Sequence, residues 1–280
     1  DDRKSPFFLS NDDFSKLPLP ARHLVDVESY KYSIEGKKST SLIAQLGCPF
    51  KCSFCSGRNS PFLRKIRQRS TDSIIEEMKH LYHTYGYTGF MFYDDELNVN
   101  KGLIGLLNKI TDLQMDLETA KRNNLKVKAL MSIGHAGESH KTIENTKDWL
   151  LEAQPEEFDC TIITTYPGSP YFDDAVKQSN GTYTYTSDLT GDKLHQSSID
   201  YLSELDYYKG DPDGGYVSYV WTDNISAEQL VTARDLLEKE VREKLDIKFN
   251  PANPAAKYEH SMGMGNINIP NHILRQSRVK

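Results

Sequence analysis

The chain has 280 residues, 38% of them hydrophobic, and a formal net charge of −6. That length is enough for one large cored domain or two small ones, and an acidic chain without a basic tract gives no reason to expect nucleic acid as its main partner. No apolar stretch approaches the roughly 20 residues that span a bilayer, and Asp1-Asp2-Arg3-Lys4 is no secretory signal, so the expectation is a cytoplasmic protein with no membrane partner.

Residues 1 to about 38 read as an extended leader or interdomain linker. Pro6, Pro18 and Pro20 punctuate it, and Leu17-Pro18-Leu19-Pro20-Ala21-Arg22 excludes a regular helix. A strand over roughly 40 to 47 follows, and Gly47 permits a sharp exit into Cys48-Pro49-Phe50-Lys51-Cys52-Ser53-Phe54-Cys55. Of four cysteines in the chain, three fall within these eight positions, with C-x3-C-x2-C spacing. Thiolates on such short spacers can wrap one soft metal centre. Three of them would leave one corner of a four-iron cube open to a cofactor or substrate. The other readings of three thiols are buried small hydrophobes, a disulfide framework, or a zinc site, which would want a fourth ligand. His23 and His80 are the nearest histidines, both far from the loop in sequence.

Arg64, Lys65, Arg67 and Arg69 form a basic run that reads as a solvated face or as a holder for an anionic group. Ser70-Thr71-Asp72 offers caps to a helix with Ile74, Ile75, Met78 and Leu81 at helical spacing. Gly89-Phe90-Met91-Phe92-Tyr93 is a continuous apolar run of the kind a strand buried on both faces shows, and it ends in Asp94-Asp95-Glu96. Carboxylates at the C-terminal end of a parallel strand point to a site, because the loops at that end build the active centres of α/β barrels. From Lys101 to Leu125 the pattern is helical, with Leu103, Ile104, Leu106, Leu107, Ile110 and Leu113 on the apolar face. A strand over 127 to 133 leads into Gly134-His135-Ala136-Gly137-Glu138-Ser139, where Ser139 is a plausible cap and His135 a possible cofactor or substrate contact. A helix over about 140 to 153 precedes a strand, Phe158 to Tyr166, in which Cys160 is a buried small side chain, and Pro167-Gly168-Ser169-Pro170 ends it. The chain then turns polar and tyrosine-rich, with Tyr183, Tyr185, Tyr201, Tyr207 and Tyr208. A strand over 216 to 221, a capping box at Ser226 with Gln229 that opens a helix to about Leu245, and an irregular tail from Phe249 complete it.

C-x3-C-x-aromatic-C after a first strand resembles the signature of the radical S-adenosylmethionine (SAM) enzymes, with Phe54 as the aromatic. The resemblance implies an α/β fold, a partial parallel (β/α) TIM-like barrel with a C-terminal extension, divided as leader 1–38, core 39–176 and extension 177–280. It implies a [4Fe-4S] cluster on Cys48, Cys52 and Cys55, SAM on the open iron, Phe54 near the adenine, and Asp94 or Asp95 receiving the SAM ammonium. The reduced cluster would cleave SAM to a 5'-deoxyadenosyl radical, with electrons from a donor such as flavodoxin or ferredoxin. The L-P-x-P-A-R stretch before Tyr30, the Asp-Asp strand end, the Gly-x-x-Gly-Glu turn and the Pro-Gly-Ser-Pro turn look like the cobalamin-dependent class, whose most frequent reaction is methylation at carbon or phosphorus. No D-x-H-x-x-G occurs, so a cobalamin-binding domain would be supplied from outside these residues. The family places two further β/α units where this chain has one helix-like segment, so either the barrel is truncated or an interior piece is missing, with the join near Asp116 to Ala120. The alternatives are a cobalamin-independent radical SAM enzyme, a methylthiotransferase or an oxidoreductase, and a non-catalytic iron–sulfur or zinc module. The substrate is not legible.

Overall fold

In the computed structural model the described residues are 9–34, 36–112, 128–199 and 217–247. The interval at Asp116 to Ala120, Pro6, Leu113, Tyr201, Tyr207, Tyr208 and the tail from Phe249 lie outside them. The chain divides into two compact units, Asp1–Cys52 with Gly57–Leu125, and Ser53–Ser56 with Lys126–Lys280.

In the first unit the leader is less extended than its prolines suggest. Ser10 caps a short helix, α1 (Asn11–Ser15), by accepting from the Asp13 amide, and 3-10 turns span Arg22–Leu24 and Val27–Ser29. Leu17 to Ala21 is free of helix, as its prolines require. Then follow β1 (Ser33–Ile34), β2 (Lys37–Leu42), β3 (Gln45–Leu46), α2 (Pro61–Arg64), β4 (Arg67–Gln68), α3 (Thr71–Tyr85), β5 (Gly89–Phe92) and α4 (Leu103–Asp112). β1 and β2 form an antiparallel hairpin, and β2 runs parallel to β5 from Ser39 opposite Gly89 to Leu42 opposite Phe92. The one strand expected over 40 to 47 is thus two. The carboxylate of Asp94 takes the amides of Ala44 and Gln45, and β3 turns off to pair antiparallel with β4. α3 begins at its Ser70 cap, as the sequence requires, and buries Ile74, Ile75, Met78 and Leu81 with Leu42, Ala44, Tyr87 and Leu106. Each such aliphatic side chain contributes roughly 1.5–3 kcal/mol on burial. β5 is half-buried along its length instead of buried on both faces, and Ile104, expected on the apolar face of α4, is 69% exposed.

The second unit contains β6 (Lys128–Ile133), α5 (His140–Ala153), β7 (Glu157–Ile162), α6 (Pro170–Asp173), β8 (Val176–Lys177), β9 (Tyr183–Thr186), β10 (Lys193–Gln196), β11 (Val220–Trp221) and α7 (Ala227–Lys244). β6 and β7 pair in parallel along six residues. The polar stretch after 176, where no strand was legible before 216, supplies three strands of a four-stranded antiparallel sheet ordered β11-β10-β9-β8. Leu194 and Val220 from that sheet share a core with Ile133, Phe158, Cys160, Ile162, Leu150 and the α7 residues Leu230, Leu237 and Val241. Cys160 is fully buried within β7, as expected.

Helix α7 closes the outer edge of β7. In a parallel strand, alternate residues turn their amide and carbonyl to the same edge, and here the outward groups of Phe158 and Cys160 meet side chains, not another strand. The Cys160 amide donates to Glu238 Oε1 at 2.8 Å, the Cys160 carbonyl accepts from Arg234 Nε at 2.8 Å, and the Phe158 carbonyl accepts from Arg242 Nη2 at 2.5 Å. Arg234, Glu238 and Arg242 are 2%, 3% and 4% exposed, so these bonds are shielded from water. Among the described residues the parallel pairs are β2–β5 and β6–β7, and they form no closed barrel.

Candidate active site

The strand that leads to the cysteine loop is held by the acidic run after β5. Asp94 Oδ1 accepts from the Ala44 amide at 2.8 Å and from the Gln45 amide, and Asp95 Oδ2 accepts from the Gly47 amide at 2.6 Å. Gln45 is fully buried and binds the Glu96 carbonyl through Nε2 and Gln68 through Oε1. Two adjacent carboxylates therefore order the four residues that precede Cys48. The pair is not equivalent. Asp95 is exposed, whereas Asp94 is half-buried and its Oδ2 is a buried atom without a hydrogen-bond partner. Burial pushes the Asp94 carboxyl above its usual range, against the lowering effect of the Gln45 and Ala44 amides. A second buried atom lacking a partner, Arg67 Nε, lies in β4, the strand paired with β3.

Gly47 makes the exit from β3 at φ +92°, where a Cβ would run into the Lys65 carbonyl, so the turn requires glycine. The Cys48 amide donates to the Leu63 carbonyl at 2.9 Å. Arg64, at the end of α2, reaches back over the loop: Nη1 donates to the Cys48 carbonyl at 3.2 Å and to the Phe50 carbonyl, and Nη2 to the Pro49 carbonyl at 2.5 Å. Cys48 and Cys52 are half-buried, Cys55 is exposed, and all are thiols.

The basic run read as a solvated face is mostly built into the unit. Arg67 is 2% exposed and lies over the Phe62 ring at 3.9 Å. Arg69 pairs with the buried Glu77 at 2.5 Å, and Arg22, the arginine of the L-P-L-P-A-R stretch, meets the other oxygen of Glu77 at 2.8 Å. The leader is thereby tied to α3. Sequence reasoning missed Arg64 and Arg22 as organisers, and the available signal was their position beside the prolines Pro61 and Pro20 that fix the chain direction.

Phe54 and Cys55 belong to the stretch Ser53–Ser56 of the second unit, apart from Asp94 and Asp95 in the first. The Ser53 carbonyl accepts from the Tyr171 amide at 3.0 Å, and the Phe54 ring lies 5.2 Å from that of His135. Both partners come from turns singled out in the sequence, Gly-His-Ala-Gly-Glu-Ser and Pro-Gly-Ser-Pro-Tyr. Glu138 builds the first turn, since its Oε2 accepts from the Gly134 amide at 2.8 Å and its carbonyl from Thr222 Oγ1 at 2.7 Å. Ser139 caps α5 in a reciprocal box with Thr142. His135 Nε2 lies 2.9 Å from Ser132 Oγ, and burial pushes its pKa below the usual value.

The chemistry of these donors suits a soft metal centre and an ammonium group. The loop supplies partly exposed thiols, and an unpartnered buried carboxylate oxygen ends the parallel strand beside the loop's entry. Among the described residues no three His, Cys, Asp or Glu side chains are gathered to hold a single metal ion, and no helix is long and apolar enough to cross a membrane.

Residues 42–117 match the family model described as the radical SAM superfamily. The chain is 29% identical over 143 residues to an uncharacterized methyltransferase, PH0819, of Pyrococcus horikoshii, covering 49% of this chain and 30% of that protein. It is 26% identical over 103 residues to cytidylyl-2-hydroxyethylphosphonate methyltransferase of Streptomyces wedmorensis, covering 34% and 19%. It is 27% identical over 116 residues to anaerobic magnesium-protoporphyrin IX monomethyl ester cyclase of Cereibacter sphaeroides, covering 35% and 19%. The chain thus spans less than a third of the length of these curated relatives. A solved structure of the radical SAM methyltransferase TsrM from Kitasatospora setae, with cobalamin and [4Fe-4S] cluster bound, aligns with a TM-score of 0.42 at 14% identity over 54% of this chain and 43% of that one. The segment that matches the radical SAM model, residues 42–117, contains the three-cysteine loop, the Asp-Asp strand and the helix between them.

Proposed function

We propose that this chain is the catalytic core of a radical SAM methyltransferase that acts on an unactivated carbon or phosphorus, with cobalamin held outside these residues. The observation that carries the reading is the loop with Cys48, Cys52 and Cys55, ordered at its entry by two carboxylates at the C-terminal end of a parallel strand. Two of the curated relatives named above are methyltransferases, which favours methyl transfer over the oxidative alternatives. The finer fold reading, a partial (β/α) barrel, is part of the same proposal and agrees with the parallel pairs β2–β5 and β6–β7.

In this reading Cys48, Cys52 and Cys55 hold a [4Fe-4S] cluster. A cluster held by these thiols would supply the one-electron reduction that cleaves a carbon–sulfur bond of SAM, with the electron coming from an external low-potential donor. Asp94 presents its unpartnered Oδ2 to the SAM ammonium while Oδ1 stays on the Ala44 and Gln45 amides. Between the two carboxylates left open by the sequence, the buried, unpaired oxygen favours Asp94, while Asp95 bonds the backbone of Gly47. Phe54, seated on His135, offers a ring face to the adenine.

The test is anaerobic reconstitution with iron and sulfide, reduction with dithionite in the presence of SAM, with and without methylcobalamin, and analysis of the nucleoside products. Appearance of 5'-deoxyadenosine or S-adenosylhomocysteine, lost in Cys52→Ala, is the expected result. A protein that binds zinc in place of a cluster, or that loads a cluster and leaves SAM intact, would overturn it.

A further inference from the structure

We propose that Arg64 is the positioning residue of the cysteine loop, holding its first half in the geometry that accepts a cluster before any cluster is present. The inference rests on the reading of the loop given above and adds a residue outside the cysteine motif to its machinery. Three consecutive carbonyls, of Cys48, Pro49 and Phe50, converge on one guanidinium. Peptide dipoles that point their negative ends at one spot repel one another, so this turn is unfavourable unless a cation sits at the focus. Arginine suits the task because its planar fork directs several N–H donors in fixed directions, where the lysine ammonium is a rotating point charge.

The turn is fixed from its other side as well. Gly47 enters at φ +92°, and the Cys48 amide is bonded to Leu63, the residue before Arg64. Cys48 is therefore held through both its amide and its carbonyl by two neighbouring residues of α2. Ser60, which caps α2, and Pro61 at its first position set the short helix and hence the place of the guanidinium. Arg64 is half-buried and touches no thiol in these bonds, so it acts through the backbone. Order in the backbone sets how far the thiols of Cys48 and Cys52 must travel when iron arrives. It also leaves one fixed positive charge beside a loop whose three thiolates would otherwise be concentrated without compensation.

The experiment uses the full chain as the iron-free protein, with Arg64→Met and Arg64→Lys beside the wild type. Hydrogen exchange at the Cys48 amide is expected to quicken about 10- to 100-fold in Arg64→Met, the range that follows from losing charge-assisted hydrogen bonds. Arg64→Lys should fall between, and the α3 amides should be unchanged, which shows that the fold survives. Anaerobic iron uptake per chain should fall in the same order. Equal Cys48 exchange in all three proteins overturns the proposal, as does faster exchange with iron uptake at the wild-type level. Failure of the wild type itself to take up iron counts against the reading of the loop, and the exchange data still decide whether Arg64 orders it.

Discussion

Asp94→Asn separates a binding role from a structural one, because it should cost little stability while it weakens SAM binding. The substitution keeps an oxygen in place to accept from the Ala44 and Gln45 amides and replaces the unpartnered Oδ2 with an amide. Exchanging an ionised acceptor for a neutral one weakens each amide bond by about 1 kcal/mol, since bonds to charged groups contribute roughly 1.5–3 kcal/mol and neutral ones roughly 0.5–1.5. Against that, the half-buried charge disappears. Burial raises the Asp94 carboxyl, so the folded state holds its proton more tightly than the unfolded chain does. Stability from this group is then lost as pH rises from the ordinary carboxylate range through the raised value, and the variant should be free of that loss. The net loss of unfolding free energy at neutral pH should be smaller than the roughly 2 kcal/mol that two weakened amide bonds alone would cost, read from urea unfolding of the iron-free protein. SAM binding to the reconstituted protein should weaken about 10- to 150-fold, the equivalent of one charge-assisted hydrogen bond. Asp94→Ala, which strands both amides, should instead cost roughly 2–4 kcal/mol of stability. SAM affinity that survives Asp94→Asn would refute the assignment of Oδ2 to the ammonium.

Three further outcomes are expected. Arg242→Met should destabilise the protein by roughly 3–5 kcal/mol in urea unfolding, because it strips the cation from Glu238 Oε2, Glu157 and the buried Phe158 carbonyl and leaves Glu238 paired with Arg234 at 3.5 Å; a mild effect would mean that α7 does not seal β7. Gly47→Ala should cost more than Gly36→Ala, since both sit at positive φ but only at Gly47 would a Cβ strike backbone, and its iron uptake should fall with its stability. His135→Phe keeps the ring against Phe54 and removes a titrating group whose pKa burial lowers from 6.5. The wild type should lose stability as pH falls from about 7 through the lowered pKa, because only the unfolded state takes up the proton readily, and the variant should lose less over the same span.

Elements with a local cause were legible in the sequence. The starts of α3, α5 and α7 each follow a serine whose side chain caps the first turn, and the caps at Ser70, Ser139 and Ser226 form as expected. The Gly47 turn and the cysteine spacing were likewise readable, because a glycine or a motif acts within a few residues. What was missed depends on distant partners. The strand over 40 to 47 breaks because two carboxylates some fifty residues later, Asp94 and Asp95, capture its amides, with sequence separations of 50, 49 and 48 for the three bonds to residues 44, 45 and 47. The basic run sinks into the unit because Glu77 lies under Arg69, and charge alone does not tell a buried pair from a solvated one. Strands β9 and β10 are rich in Tyr, Thr and polar residues, so no apolar run marks them, although Leu194 is buried in the core and Tyr185 packs against it.

The two faces of the β6–β7 pair carry different chemistry, and this bears on the partial-barrel reading. Ala129, Met131 and Ile133 of β6 and Phe158, Cys160 and Ile162 of β7 turn toward α5 and α7, as alternation on a helix-covered face demands. The alternate residues are Lys128, Leu130 and Ser132 with Glu157, Asp159 and Thr161, a polar set in which Lys128 and Asp159 pair at 2.7 Å. Leu130 stands among them 74% exposed. An apolar side chain at mid-strand forgoes roughly 1.5–3 kcal/mol when it is left in water. In a parallel (β/α) barrel the face turned from the helices is filled by layers of packed side chains while the active site lies at the C-terminal ends of the strands, so such a position would take Leu130 out of water. With the outer edge of β7 already taken by Glu238, Arg234 and Arg242, extension of this sheet on that side would displace three buried ionic side chains.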